Sequence, residues 1–285
     1  MKYKIIFLLS IMLSCVVLHI HAQEIEKSDI SRPVTGIYSI ELGWQDMLAT
    51  YLSPLHYKGK NIALSGEWSK AMPFSPEHAV MDFRGGIHMS NLFNPAHTAR
   101  MIGINGYFSW GMAWRSLIPA QIQITAGGEA EIEGGAFYLL RNGNNPVQAM
   151  ANVSLNITAS LSRPFIIGHL PVLIRDRVSL PTLGTFFSPA YGETYYEIYL
   201  GNQKGLAHAG LWGNNFRIDN LLSFTFDFGR TAAMIGYRFN AYTQWANSLN
   251  TKIFTHSIVI GVIPGGIGLK KRSPRRTSQQ IYSLY

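Results

Sequence analysis

The sequence predicts an all-β protein, an antiparallel transmembrane β-barrel of about twelve strands (ten to fourteen) behind an N-terminal signal peptide. Three observations lead there. Residues 121–133 read Gln-Ile-Gln-Ile-Thr-Ala-Gly-Gly-Glu-Ala-Glu-Ile-Glu, with polar odd positions and apolar or small even ones. A strand sends successive side chains to opposite faces, and a run this long exceeds the ~9–11 residues that a tilted strand needs to cross a bilayer. Charged residues are 14% of the chain against about 25% in ordinary soluble domains. Apolar residues nevertheless reach 47%, without an apolar block of helix-spanning length after residue 20.

Taken from the N-terminus, residues 1–22 read as a secretory signal. Lys2 and Lys4 precede an apolar run over 5–20, and Ile20-His21-Ala22 approximates a cleavage site before Gln23. The run is short for the ~20 residues of a spanning helix. Leu13 ahead of Ser14-Cys15, and Val16, Val17 and Leu18 after it, argue against lipid attachment at Cys15. Cys15 is the only cysteine, so the processed chain has no disulfide framework and no thiolate metal site. Residues 23–35 form an N-terminal extension before a barrel over 36–263.

Within that barrel, weaker period-two signals mark strands at 36–44, 60–70 and 78–90. Over 100–114, Ile102, Ile104, Phe108, Trp110, Met112 and Trp114 share one face, opposite Asn105, Tyr107 and Ser109. The strand at 121–133 is followed by a turn-rich stretch, 141–146, whose Asn-Gly and Pro suit a reversal. Residues 149–162 alternate most cleanly of all. Weaker strands follow at 171–180 and 205–213, then strong ones at 220–228, 231–244 and 254–262. That makes eleven, and single-chain barrels favour even numbers, so either 195–200 or 279–285 is expected to supply a twelfth. The long aromatic connection at 181–201 suits a barrel rim. Pro264 and Pro274 take the final basic tail, 264–285, out of the sheet.

The formal charge of +8 comes mainly from that tail, through Lys270, Lys271, Arg272, Arg275 and Arg276, and from Lys2 and Lys4. No folded basic face is implied, so no nucleic-acid partner is expected. The expected partners are outer-membrane lipid and a small polar solute. Oligomeric state is not legible.

Three stretches carry a family resemblance: Thr50-Tyr-Leu-Ser-Pro-Leu-His-Tyr-Lys-Gly59, Leu140-Arg-Asn-Gly-Asn-Asn-Pro-Val-Gln-Ala149 and Ser188-Pro-Ala-Tyr-Gly-Glu-Thr-Tyr-Tyr-Glu-Ile198. Over about residues 35–265 the chain resembles a Bacteroidetes family catalogued as domain of unknown function 3316. The resemblance implies an exported, barrel-like protein of Gram-negative Bacteroidetes; with the signal peptide and the strand pattern, the expected location is the outer membrane of a Gram-negative bacterium. It brings no activity and no catalytic residues.

The candidate lumen-facing residues are Glu129, Glu131, Glu133, Arg175, Arg177 and Arg238. Three glutamates on one strand face form either an acidic ladder that selects cations or the acid half of ion pairs with those arginines. No catalytic constellation emerges. His256 and Ser257 are neighbours on a strand and so face opposite sides, while His88 and Ser90 share a face without a surrounding motif. There is no His-x-x-x-His pair, no calcium loop and no phosphate loop, hence no expected metal or cofactor. The reading is therefore an outer-membrane barrel acting as a structural, channel or small-ligand-binding protein. Its rivals are a lipid-modifying outer-membrane enzyme and a soluble periplasmic β-barrel binding protein.

Overall fold

Alternating side chains need a different environment on each face, and a sheet that closes on itself provides two. A computed structural model describes residues 30–269 and 280–285. The expected signal peptide and the basic cluster at 270–276 lie outside the described residues. The strands are β1 (Thr35–Ala49), β2 (Ser53–Ala71), β3 (Ala79–Phe93), β4 (Arg100–Ile118), β5 (Ile122–Leu139), β6 (Val147–Ile167), β7 (Leu170–Phe187), β8 (Ala207–Gly210), β9 (Asn215–Asp227), β10 (Thr231–Ala246) and β11 (Leu249–Pro264). All pairings among them are antiparallel, and β1 pairs with both β2 and β11. The sheet therefore closes as β1-β2-β3-β4-β5-β6-β7-β9-β10-β11-β1, a ring of ten strands.

Among the described residues, the expected twelve strands are thus corrected to ten in the barrel and one outside it. The segment predicted at 205–213 is β8, four residues long, which pairs only with the end of β7. Both β8 and β9 run beside β7, separated by the turn at 211–214. Opposite that break, β7 bulges: Leu155 pairs with Leu183 and Asn156 with Pro181, leaving Thr182 as the extra residue. Thr182 Oγ1 donates to the Leu155 carbonyl at 2.8 Å, and the Trp212 indole donates to the Pro181 carbonyl. Residues 195–200 are not a strand either. Thr194 accepts from Glu197 N while the Glu197 carboxylate accepts from Thr194 N, a capping box that starts a short helix, α1 (Tyr195–Tyr199). The terminal residues 280–285 form one bridge, Ser31 to Gln280, and then turn into the barrel mouth.

The two ends of the barrel differ. One carries the starts of β1 and β3, the end of β11 and the final residues, with a β6–β7 turn at Gly168 (φ +62°) and His169 that needs a left-handed first position. The other end carries the β1–β2, β3–β4 and β5–β6 connections, the two-residue turn at Asn247 and Ser248, and the long connection 188–214 with α1. These are called the termini side and the loop side below.

Polarity is inverted relative to a soluble domain. On the outside, Ile40, Leu42, Leu64, Ile87, Ile104, Phe108, Trp110, Ile132, Leu155, Ile235, Ile258 and Ile260 are each 46–60% exposed. On the inside, Glu41, Glu67, Arg84, Glu129, Glu131, Arg177 and Arg217 are all buried. Residues 121–133 show the rule: Gln123, Glu129 and Glu131 are buried while Ile124, Ala126, Ala130 and Ile132 are exposed.

Candidate functional site

The enclosed lumen is the site, and its central layer is a network of ion pairs. Parity on each strand delivers the charges. In β2 the odd residues point inward, bringing Glu67; in β3 the even ones do, bringing Arg84; in β5 and β7 the odd ones do, bringing Glu129, Arg175 and Arg177. Arg175 Nη1 donates to Glu67 Oε1 at 2.7 Å, and Arg177 Nη1 donates to Glu67 Oε2 at 3.3 Å. Arg177 also reaches Glu129 Oε2 at 3.4 Å, and Arg84 donates to the same oxygen. Ser179 Oγ donates to Glu129 Oε1 at 2.6 Å. The result is a continuous chain across the lumen, Arg175–Glu67–Arg177–Glu129–Arg84, drawn from β2, β3, β5 and β7. The Glu129 side chain is only 3% exposed.

Two further groups extend the layer. Arg217 of β9 contacts both Glu131 and Glu133. Arg238 of β10 donates through Nη1 to Glu41 Oε1 and through Nε to Asp219 Oδ2, each at 2.7 Å. Its guanidinium lies 5.7 Å from the Tyr107 ring centroid, and Ser65 Oγ donates to Glu41 at 2.9 Å. Each of the three glutamates on β5 is therefore held against at least one arginine. Of the six residues named from sequence, the structure joins Arg177 to Glu129, whereas Arg175 goes to Glu67 and Arg238 to Glu41 and Asp219. The partners not named, Arg84, Arg217, Glu41, Glu67 and Asp219, fall into two kinds. Glu41, Glu67 and Arg84 sit at inward parity in segments already expected to be strands, so parity alone marks them. Arg217 and Asp219 precede residue 220 and belong to a strand that begins earlier than its alternation shows.

Small residues make room for this packing. A Cβ on Gly111 would meet Glu129 Cβ at 2.7 Å, and one on Gly103 would meet the Phe137 ring at 2.4 Å. Phe137 belongs to the next layer. On the loop side of the charges, Met47, Leu52, Tyr57, Leu92, Met101, Phe137, Leu139 and Ile253 converge from around the ring into a buried apolar cluster. On the termini side, Ile37, Leu173, Met234, Val259, Ile263, Ile267 and Leu284 form a second one.

The final residues cap that second cluster. Arg115 Nη1 donates to the carbonyls of Tyr282 at 2.7 Å and Ser283 at 3.2 Å. Ser283 Oγ bonds Ser69 Oγ at 2.6 Å and donates to Thr35 Oγ1 at 3.1 Å, and Gln123 Nε2 donates to the Leu284 carbonyl at 3.2 Å. The segment thus ties β1, β2, β4 and β5 together across the mouth. Between the layers lie a polar cavity of about 70 Å³ beside Glu41, Glu133, Arg217 and Asp219, and one of about 40 Å³ beside Glu67 and Arg175. The first faces buried Gln45 Nε2 and Asn105 Oδ1, which have no protein partner, and its size suits a few waters. Ligand pockets for drug-sized molecules are about 300–1,000 Å³.

Among the described residues no hydrogen bond joins a histidine to a serine hydroxyl. His56 pairs with Asp46, His256 Nδ1 lies 2.5 Å from the Tyr237 hydroxyl, and His208 contacts the Ser188 carbonyl. His88 and Ser90 both face the lumen, without a bond between them. No group of three or more His, Cys, Asp or Glu side chains that could hold a metal ion occurs among the described residues.

A model of the family described as "Protein of unknown function (DUF3316)" matches residues 5–273. No curated protein matches the chain. Among solved structures, the outer membrane protease OmpT from Escherichia coli aligns with a TM-score of 0.44 at 9% identity, covering 81% of this chain and 96% of that one. The β domain of the Bordetella autotransporter BrkA aligns at 0.42 and 9%, covering 82% and 100%. The translocator domain of the autotransporter NalP from Neisseria meningitidis aligns at 0.39 and 9%, covering 92% and 96%. Similarity at this level transfers no activity.

Proposed function

This chain belongs to the DUF3316 family of proteins of unknown function, and on the geometry of its barrel we propose that it is an integral outer-membrane protein with a sealed lumen, structural rather than conducting. The observation that carries this reading is the apolar exterior. A soluble barrel with Ile40, Leu64, Ile104, Phe108, Trp110, Leu155 and Ile260 all exposed would present an apolar patch far beyond the few hundred Å² usual for soluble monomers. In a bilayer those side chains face acyl chains, and closure leaves no unpaired strand edge in hydrocarbon. The ten strands of the ring run 13 to 21 residues, enough to span at a tilt and project beyond the headgroups.

Orientation follows from the asymmetry of the ends. Barrels of this kind keep short turns inside and long loops outside, which puts the termini side in the periplasm and the connection 188–214 at the cell surface. A conducting pore would leave lumenal side chains wetted, yet Met47, Leu92, Met101 and Phe137 are 0% exposed. The filled interior therefore favours a membrane anchor for the loop-side surface over a channel. Expression in a Gram-negative host tests the reading. The protein is expected in the outer-membrane fraction, resistant to carbonate extraction and heat-modifiable on a gel. Release by osmotic shock in soluble form would overturn it.

A further inference from the structure

On the outer wall of β1–β4, at the loop-side limit of the apolar belt, three rows of side chains cross the strands in register. The row nearest the loops is Phe254, Asp46, Lys58, Phe93 and Arg100, and the next is His256, Trp44, Lys60, Asn91 and Ile102. The third is Ile258, Leu42, Ile62, Met89 and Ile104, wholly apolar. The boundary between wet and greasy wall thus falls between the second and third rows, with Trp44 and Phe93 where interfacial aromatics belong.

The charges at this boundary are unbalanced. Asp46 is the one acid in the first two rows, and it already holds Lys58 Nζ at 2.9 Å and His56 Nδ1 at 2.8 Å. Among the described residues no carboxylate pairs with Lys60 or Arg100; Arg100 Nε donates to Asn91 Oδ1 at 2.6 Å. Lys58, Lys60, Asn91, Trp44 and Phe93 line one groove of about 570 Å³, bordered toward the loops by Asn94, Pro95 and His97. Farther down the same strands, a trough of about 640 Å³ runs between Leu64, Ile87 and Phe108, over the bare backbone of Gly66, Gly85 and Gly106. From Lys60 to Leu64 is four residues, about 13 Å along the strand, close to half of the ~30 Å hydrocarbon core.

We propose that this wall binds one anionic, phosphate-bearing membrane lipid, its phosphate held by Lys60 in the groove and by Arg100 at its border, where Arg100 bonds the lining Asn91, with an acyl chain lying in the glycine-floored trough. The site rests on the membrane-embedded reading above. Cations at a headgroup plane attract anionic lipid, and Arg100 adds forked donors suited to phosphate oxygens. The trough supplies what a generic basic patch lacks, a recess matched to one chain of the same molecule.

The test uses the whole protein reconstituted in phosphatidylcholine vesicles and titrated with phosphatidylglycerol. Wild type is expected to enrich phosphatidylglycerol, saturating near one lipid per barrel. Lys60→Ala with Arg100→Ala should weaken this at least tenfold while vesicle flotation and heat-modifiable mobility stay unchanged, because both side chains are exposed. Gly85→Leu should weaken it several-fold by filling the trough; a Cβ there meets nothing closer than 3.4 Å, so the barrel tolerates it. Equal binding of the two lipids, an unaffected double variant, or full displacement by inorganic phosphate would overturn the lipid site. Failure of wild type to float with vesicles would instead overturn the membrane reading beneath it.

Discussion

Glu129 is where the lumen is most sensitive to a single change. Its carboxylate accepts from Arg84, Arg177 and Ser179, and it is nearly inaccessible. Replacing it with Leu leaves two buried guanidinium groups without that partner. Breaking a buried ion pair from one side costs about 3–5 kcal/mol, so Glu129→Leu should lower unfolding stability in detergent or lipid by that order. A loss under 1 kcal/mol in denaturant titration would mean that the network is wetter than it looks. The exterior supplies the opposite experiment. Ile132, at the level of the glycine-floored trough, is 60% exposed, and in a soluble protein Ile132→Arg would be near neutral. Against lipid, an Arg near the bilayer midplane costs about 2–4 kcal/mol, so folding into vesicles should weaken by up to that amount while folding in mild detergent changes less. Much of this was legible residue by residue, because parity alone turns Glu129 and Arg177 into the lumen. Which arginine meets which acid was not legible: β2 and β7 face each other only after the ring closes, and no local signal encodes that.

At the scale of elements, β5 was readable because its whole length alternates, whereas β8 and β9 were read at shifted bounds, 205–213 and 220–228. A bulge at Thr182 and the turn at 211–214 interrupt the period, and a window of alternation cannot register a break whose cause lies on the neighbouring strand. The segment that became α1 misled for another reason. Its aromatics suit a strand by propensity, but the Thr194–Glu197 capping box determines its geometry. Thr194→Ala should cost about 1 kcal/mol of local stability, read as faster proteolysis within 188–206 and no change in the barrel's heat-modifiable shift. This connection is latched to the rim by Tyr51, whose hydroxyl donates to the Glu193 carbonyl at 2.7 Å, and by Tyr195, whose hydroxyl accepts from Ala149 N at 2.6 Å. Burial, helped by Tyr195, Glu193 and Glu197, pushes the Tyr51 hydroxyl up to about 12. A raised value means that the latch contributes fully below the ordinary tyrosine value near 10 and is lost as pH rises through about 12. Loop proteolysis should therefore accelerate across that window in wild type, and Tyr51→Phe should be fast throughout. A rate in Tyr51→Phe equal to wild type at pH 8 would remove Tyr51 from the latch.

The whole molecule is a stack of three layers inside one wall: apolar at the loop side, charged in the middle, apolar and capped by residues 280–285 at the termini side. On the sealed-lumen reading proposed above each layer blocks the path, so removing the cap alone should not open one. Planar-bilayer recordings are expected to show no steady conductance for wild type or for a chain ending at residue 279. A stable open level in wild type would contradict the sealed lumen. The closed all-β architecture was legible from composition and period, since low charge with high apolar content and no long apolar helix leaves few alternatives. The number of strands was not, because an even count is a closure condition and β8, which lies outside the ring, has the same local sequence character as a barrel strand. The role of the last residues was hidden as well; Ser283 and Leu284 matter through contacts with strands more than 150 positions away.

The central claim, that the apolar wall of this barrel faces lipid, is tested most directly by fluorescence quenching at Trp110, in the middle of β4 and 46% exposed on the outer face. In a variant keeping Trp110 as its only tryptophan, reconstituted in vesicles, lipids brominated near mid-chain should quench strongly and aqueous iodide should not. Strong iodide quenching with no response to brominated lipid would contradict it.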